Sequence, residues 1–174
     1  SSRLSDNQWK SVLEIDLFGT FYCSRAAFKH LSKNGGNIIS TSMTLHHQGW
    51  VGMLPACSAK AGIDALTLTL AQEWAPQGIR VNAVAPGPII TEGVEKAFSM
   101  GGSFEEHRDT IPLGRPGEPE EVGNCCVFIC TAGWMTGSII ALDGGERLST
   151  RRAGIAPTAI EGLTDMMNSM RQKG

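Results

Sequence analysis

Ile79-Arg80-Val81-Asn82-Ala83-Val84-Ala85-Pro86-Gly87-Pro88 decides how this chain folds. Residues 79–85 alternate and run apolar, the pattern of a buried strand. Pro86-Gly87-Pro88 breaks the chain directly after it. A strand that ends in such a turn delivers it to the crevice where open α/β sheets bind ligands. Gly87, with no side chain, makes room for close backbone approach there.

Working towards the amino terminus, residues 58–74 carry a helical pattern in Ala61, Ala65, Leu66, Leu68 and Leu70, ended by Gly78. Residues 49–55 read as a loop, and Asn37-Ile38-Ile39-Ser40-Thr41 as a short strand. Earlier still, Val12, Ile15, Phe18, Phe21, Ala27, Phe28 and Leu31 recur every three or four positions. They predict one long amphipathic helix over residues 9–33, capped by Ser5 and Asp6 and stopped by Asn34-Gly35-Gly36. Towards the carboxy terminus, residues 91–108 are polar and glycine-punctuated, a mobile segment. Residues 119–132 follow as a helix with Pro119 in its first turn. Residues 138–142 form a strand, Asp143-Gly144-Gly145 a turn, and residues 157–170 a tail helix with Ile160, Leu163, Met166, Met167 and Met170 on one side.

Strands alternating with helices imply an α/β fold with a parallel, doubly wound sheet. A dinucleotide fold also needs a glycine-rich turn after its first strand, and no G-x-G-x-x-G occurs in these 174 residues. The expected fold is therefore the C-terminal part of a Rossmann-like sheet, without the N-terminal glycine-rich half, which the chain needs as a partner. Residues 1–148 are expected to belong to that single domain and residues 149–174 to a C-terminal extension with a helix.

Composition removes other classes. Hydrophobic residues make up 41%, enough for an ordinary core, and the net charge of −2 leaves no basic footprint for nucleic acid. The one tight basic cluster, Arg147, Arg151 and Arg152, reads as a solvated loop ahead of the alternative, a contact for an anionic substrate. Five cysteines, an odd number, show no zinc spacing, and no metal is expected. Cys125, Cys126 and Cys130 lie in an apolar helical run and read as small buried hydrophobes. Reduced thiols fit an intracellular compartment. No uninterrupted apolar run approaches the length of a membrane span, and neither end reads as a signal peptide or the usual peroxisomal tripeptide.

Six segments in order resemble the short-chain dehydrogenase/reductase family. They are Ile15-Asp16-Leu17-Phe18-Gly19-Thr20-Phe21, Gly35-Gly36-Asn37-Ile38-Ile39, Ser58-Ala59-Lys60-Ala61-Gly62, the stretch from Ile79 through Gly87, the Pro112-Leu113-Gly114-Arg115-Pro116-Gly117 run with Glu118 to Val122, and Asp143-Gly144-Gly145. The resemblance covers about residues 5 to 148. The family's usual serine, tyrosine and asparagine positions hold Met43, Ala56 and Asp16; of that set only Lys60 remains. The usual proton-donating tyrosine is thus replaced. This pattern resembles the 2,4-dienoyl-CoA reductases, with the peroxisomal type nearer than the mitochondrial, because Leu45 holds the mitochondrial type's replacement tyrosine position.

The resemblance implies NADPH-dependent reduction of a 2,4-dienoyl-CoA to a 3-enoyl-CoA in unsaturated fatty acid β-oxidation, with NAD not excluded as the cofactor. Such chemistry needs a donor for the thioester oxyanion and a proton source. Lys60 is expected to hold the nicotinamide ribose and supply positive charge. Asp16, flanked by Ile15, Leu17 and Phe18, reads as a carboxyl in apolar surroundings that would resist ionisation and so donate a proton or orient a water. Pro86, Gly87, Pro88 and Ile89 are expected beside the nicotinamide, with Thr91 towards the cofactor phosphates. His46 and His47 are candidates to bond the thioester oxygen, against the plainer reading of solvated loop histidines. Phe98, Met100 and Phe104, within residues 93–108, are candidate walls of an acyl channel under a lid. Asp143 is a candidate for a carboxylate or water network, though a turn residue beside Gly144 is the simpler reading. The family resemblance also implies a homotetramer, an acyl-CoA substrate, and a mitochondrion or peroxisome-like organelle. The alternatives are an enoyl-CoA or carbonyl reductase of the same superfamily, or an inactive relic of the fold.

Overall fold

A computed structural model describes residues 2–92, 108 and 110–149. The proposed lid with Phe98, Met100 and Phe104, the tail helix, Arg151 and Arg152 lie outside the described residues. Three parallel strands, β1 (Gly36–Thr41), β2 (Ile79–Pro86) and β3 (Ile139–Leu142), lie side by side in that order. The sheet is the C-terminal part of a Rossmann-like α/β fold, as the alternation of elements predicts.

The long N-terminal helix begins at Asp6, earlier than the periodicity suggests, because Ser5 and Gln8 make a reciprocal capping box. It runs as α1 (Asp6–Val12), a π-helical stretch (Leu13–Phe18) and α2 (Gly19–Leu31). The extra residue per turn was invisible to a 3.6-residue reading. It also breaks the expected apolar stripe: Ile15 is 75% exposed, and Phe18 and Phe21 are exposed too, while Phe28 and Leu31 reach the core.

The helix predicted over residues 58–74 starts four residues sooner, as α3 (Leu54–Trp74), with Pro55 in its first turn. Proline is tolerated there because the first amides have no partner within the helix. The predicted 49–55 loop is correspondingly shorter, and a 3-10 turn, Leu45–His47, precedes it. Leu70 and Ala71 of α3 pack on Ile79 and Val81 of β2, with Ile38, Leu66 and Trp74 around them. Gly35 and Gly78 meet where the two strands begin. A Cβ on Gly35 would lie 2.8 Å from the Gly78 carbonyl, and both residues take positive φ.

The other face of the sheet carries α4 (Pro119–Thr131). Successive strand residues point to opposite faces, so Arg80 and Asn82 serve this side while Ile79 and Val81 serve α3. Arg80 donates to the carbonyls of Ile129, Cys130 and Met135, closing the C-terminal end of α4. Asn82 is wholly buried; its amide donates to the Met135 carbonyl at 3.0 Å and its side-chain oxygen accepts from the Ser138 amide at 3.0 Å. Asn82→Ala strands both groups in the interior, and a buried unpaired group costs about 1–3 kcal/mol. The expected result for the complete protein is a loss of about 2 kcal/mol and a melting point lower by roughly 4–8 °C, read by calorimetry.

One reading of the cysteines is corrected: Cys125 and Cys126 are half-buried and Cys130 is exposed. The exposed face of α4 also carries Val127 and Phe128, so an apolar run there did not mean an interior one. Partial burial, with Cys126 adjacent, pushes the Cys125 thiol above its ordinary value.

Candidate active site

The C-terminal ends of β1, β2 and β3 come level at one edge of the sheet, and the site is assembled there. Lys60 lies on α3 and Asp16 in the π-helical stretch. Their charged atoms stand 3.6 Å apart, with the lysine side chain 19% and the aspartate side chain 30% exposed. Lys60 also donates to the Thr41 carbonyl at the end of β1, at 3.1 Å. The Ser42 hydroxyl in turn donates to the Lys60 carbonyl.

Two local features make this meeting possible. Within the π stretch the Asp16 carbonyl is claimed by the Thr20 hydroxyl at 2.6 Å, and such stretches re-aim side chains at functional sites. On α3, Gly62 lets the helices close: a Cβ there would fall 2.8 Å from a Leu17 methyl. The expected apolar surround of Asp16 is not found. Ile15 and Phe18 turn outward, and the carboxylate faces the Lys60 ammonium instead.

The Pro86–Ile89 turn is threaded into its neighbours. The Pro86 carbonyl accepts from Thr44, the Gly87 amide donates to Leu142, and the Pro88 carbonyl accepts from Gly117. Ile90 donates back to the Gly117 carbonyl, completing a parallel bridge between Ile89 and Gly117. In such a bridge the N–H and C=O of Ile89 itself point away from Gly117. Pro88, Ile89, Leu113, Arg115, Leu142 and Asp143 line a small recess beside the turn. Thr91 follows, exposed.

Asp143 is buried, and its carboxylate is spent on its own loop. It accepts from the amides of Gly145 and Arg147 and from the Arg147 guanidinium at 2.8 Å. Arg147, expected from the sequence in a solvated basic cluster, is thus tied down. His46 is not a solvated loop residue either. Its side chain is 6% exposed, with Nε2 2.8 Å from Asp64 and Nδ1 2.6 Å from the Met43 carbonyl. Both ring nitrogens face protein acceptors, so His46 is not presented to a thioester oxygen; His47 is exposed. Ala56 and Met43, at the expected tyrosine and serine positions, are half-buried. Asp64 and the wholly buried Glu146 were missed in the sequence. Asp64 had a signal: four residues after Lys60, it shares that face of α3.

Arg115 and Glu121 fix the far wall through a two-pronged ion pair, at 2.9 and 2.7 Å. The Arg115 guanidinium, helped by the Glu118 amide, holds the Glu121 carboxyl down from an ordinary 4.5 to about 2. A carboxyl lowered on folding stabilises the fold fully above its unfolded value, and that contribution fades as pH falls towards its folded value. The stability difference between the complete protein and its Glu121→Gln variant should therefore shrink between pH 4.5 and about 2. Paired melting curves across that range check it; a difference constant with pH counts against the ion pair.

The family model described as enoyl-(acyl carrier protein) reductase matches residues 1–146. A probable 2,4-dienoyl-CoA reductase [(2E)-enoyl-CoA-producing] of Bacillus subtilis is 41% identical over 86% of this chain and 61% of its own length. A peroxisomal 2,4-dienoyl-CoA reductase [(3E)-enoyl-CoA-producing] of Danio rerio is 40% identical over 86% of this chain and 51% of its own. Among solved structures, a short chain dehydrogenase from Bacillus anthracis superposes with a TM-score of 0.72 at 40% identity, covering 83% of this chain and 57% of that one. ElxO with NADP bound gives 0.78 at 28% identity, covering 83% and 60%. The chain therefore spans roughly half to three-fifths of the length of these relatives.

Proposed function

Since this chain belongs to the short-chain dehydrogenase/reductase family, matching its enoyl-(acyl carrier protein) reductase model, we propose that the complete protein is an NADPH-dependent 2,4-dienoyl-CoA reductase. One observation carries the reading. Lys60 and Asp16 face each other at 3.6 Å at the ligand-binding edge of the sheet, while Ala56 and Met43 leave the family's usual tyrosine and serine positions without a hydroxyl. The relatives named 2,4-dienoyl-CoA reductases support the substrate class.

The residues present suit the nicotinamide end of the cofactor. An ammonium has three N–H donors; Lys60 spends one on Thr41 and faces Asp16 with another, which leaves one for a ribose hydroxyl. The outward N–H and C=O of Ile89 complement a carboxamide. Pro86, Gly87 and Pro88 shape that wall, and Thr91 lies towards the phosphates. The amides for the pyrophosphate belong to the glycine-rich half, which would extend the sheet beyond β1. When bound, the nicotinamide supplies the hydride.

Hydride addition to the far end of the diene drives negative charge onto the thioester oxygen. The Lys60 ammonium stabilises that dienolate. Asp16, partly open to solvent, orients the water that protonates the α carbon, and the remaining double bond lies between carbons 3 and 4. A saturated carbonyl would instead require a proton delivered to an alkoxide, the task of the absent tyrosine.

The exposed apolar residues Ile15, Phe18, Phe21 and Tyr22, with Leu68 on α3, supply a surface for the family's tetramer. The peroxisomal relative supports a similar compartment and a place in fatty acid oxidation. The test is substrate choice. The complete protein should oxidise NADPH with 2,4-hexadienoyl-CoA and release the 3-enoyl thioester, identified by NMR. Turnover of saturated ketones alone would replace this reading with a carbonyl reductase, and nucleotide binding without turnover would replace it with an inactive relic.

A further inference from the structure

His46, His47 and Asp64 form a second polar cluster, which the reductase chemistry does not use. One ligand atom from each lies within 4.8 Å of the other two. His46 Nε2 stands 2.8 Å from one Asp64 oxygen, and Nδ1 stands 2.6 Å from the Met43 carbonyl. A neutral imidazole has a single N–H, so it satisfies only one of these two oxygens. The other nitrogen and its facing oxygen need a cation between them, either a second proton or a metal ion.

The surroundings favour the metal. A ligating histidine ordinarily donates its remote N–H to a carbonyl or carboxylate, which fixes the ring and aims the other nitrogen at the ion. The Met43 carbonyl does this for His46. Asp64 is 8% exposed, and its second carboxylate oxygen is buried without a hydrogen-bond partner among the described residues. The His47 ring lies 4.0 Å from the His46 ring, and His47 is exposed to solvent, so a water can complete the coordination. Two imidazoles and a carboxylate suit a zinc-class divalent ion better than calcium or magnesium, which prefer oxygen ligands.

We propose that His46, His47 and Asp64 bind one divalent transition-metal ion of the zinc class. The ion staples the turn after β1 to α3, one helical turn beyond Lys60. The inference is independent of the dienoyl reading, since it uses none of the reacting groups.

The experiment uses the complete protein, with thiols alkylated and metal removed by chelator. Zinc uptake is measured by equilibrium dialysis, and cobalt substitution is followed by its visible d–d bands. One ion per chain is expected, with cobalt bands of a tetrahedral nitrogen and oxygen set. His47→Ala changes an exposed side chain, so it should keep the native circular dichroism while weakening zinc at least about 10–100-fold. Asp64→Asn should weaken it likewise. No stoichiometric uptake by the unmodified sequence, or uptake that His47→Ala leaves unchanged, overturns the proposal and assigns a shared proton to the His46–Asp64 pair.

Discussion

Lys60→Met in the complete protein is expected to lower kcat/KM for 2,4-hexadienoyl-CoA about 10²–10³-fold, the loss typical when electrostatic stabilisation of a developing oxyanion is removed. The fold should survive. Lys60 gives up one bond to the Thr41 carbonyl and a partly buried ion pair with Asp16, and methionine keeps most of the apolar stem. NADPH affinity should fall as well, because the same ammonium is assigned to the ribose. Steady-state kinetics with a binding titration separate the two effects. Unchanged turnover with native circular dichroism would remove Lys60 from the chemistry.

Gly87→Ala should be nearly as damaging, for a steric reason. A Cβ on Gly87 would lie 2.7 Å from the Asp143 Cβ and 2.9 Å from its Cα. The second of these is backbone, so a rotamer change cannot relieve the clash. Overpacking of this kind costs about 1–3 kcal/mol, or roughly 2–12 °C in melting point for a domain of this size. The turn and the Asp143 loop must then part, and the Leu142 carbonyl loses its 2.9 Å bond from Gly87. NADPH binding should weaken with the displaced turn. A calorimetric melting point and cofactor affinity equal to those of the unsubstituted protein would show that the turn has slack this structure denies it.

The strand Ile79–Pro86 was legible because apolar residues alternate with Arg80 and Asn82 and then run on as Ala83-Val84-Ala85 into a proline-glycine break. The parallel direction of β1, β2 and β3 followed from the alternation of elements; their order in the sheet did not. The π stretch was not legible: Leu13–Phe18 has ordinary helix-compatible residues, and only its packing against Gly62 and the Lys60–Asp16 contact show why the extra residue is there. The start of α3 is hidden in the sequence because Leu54 and Pro55 resemble loop termination, although proline also suits a first turn.

Within the site, Lys60 and Asp16 were nameable from motif positions, but their partners were not. Adjacent apolar letters suggested a shielded carboxyl at Asp16, whereas the helix turns Ile15 and Phe18 away and offers Lys60 instead. Likewise, the letters of His46 gave no hint of Asp64, eighteen residues on, because a turn and a helix had to fold before the two could touch.

A double-mutant cycle between Asp16 and Lys60 decides whether the two side chains act together on the substrate. The complete protein, Asp16→Asn, Lys60→Met and the double variant are compared by kcat/KM for 2,4-hexadienoyl-CoA. If the pair works as one unit on the dienolate and its proton, the double variant should be little slower than the worse single variant. Single-variant effects that simply multiply, or no effect of either, would contradict a joint role for these two side chains.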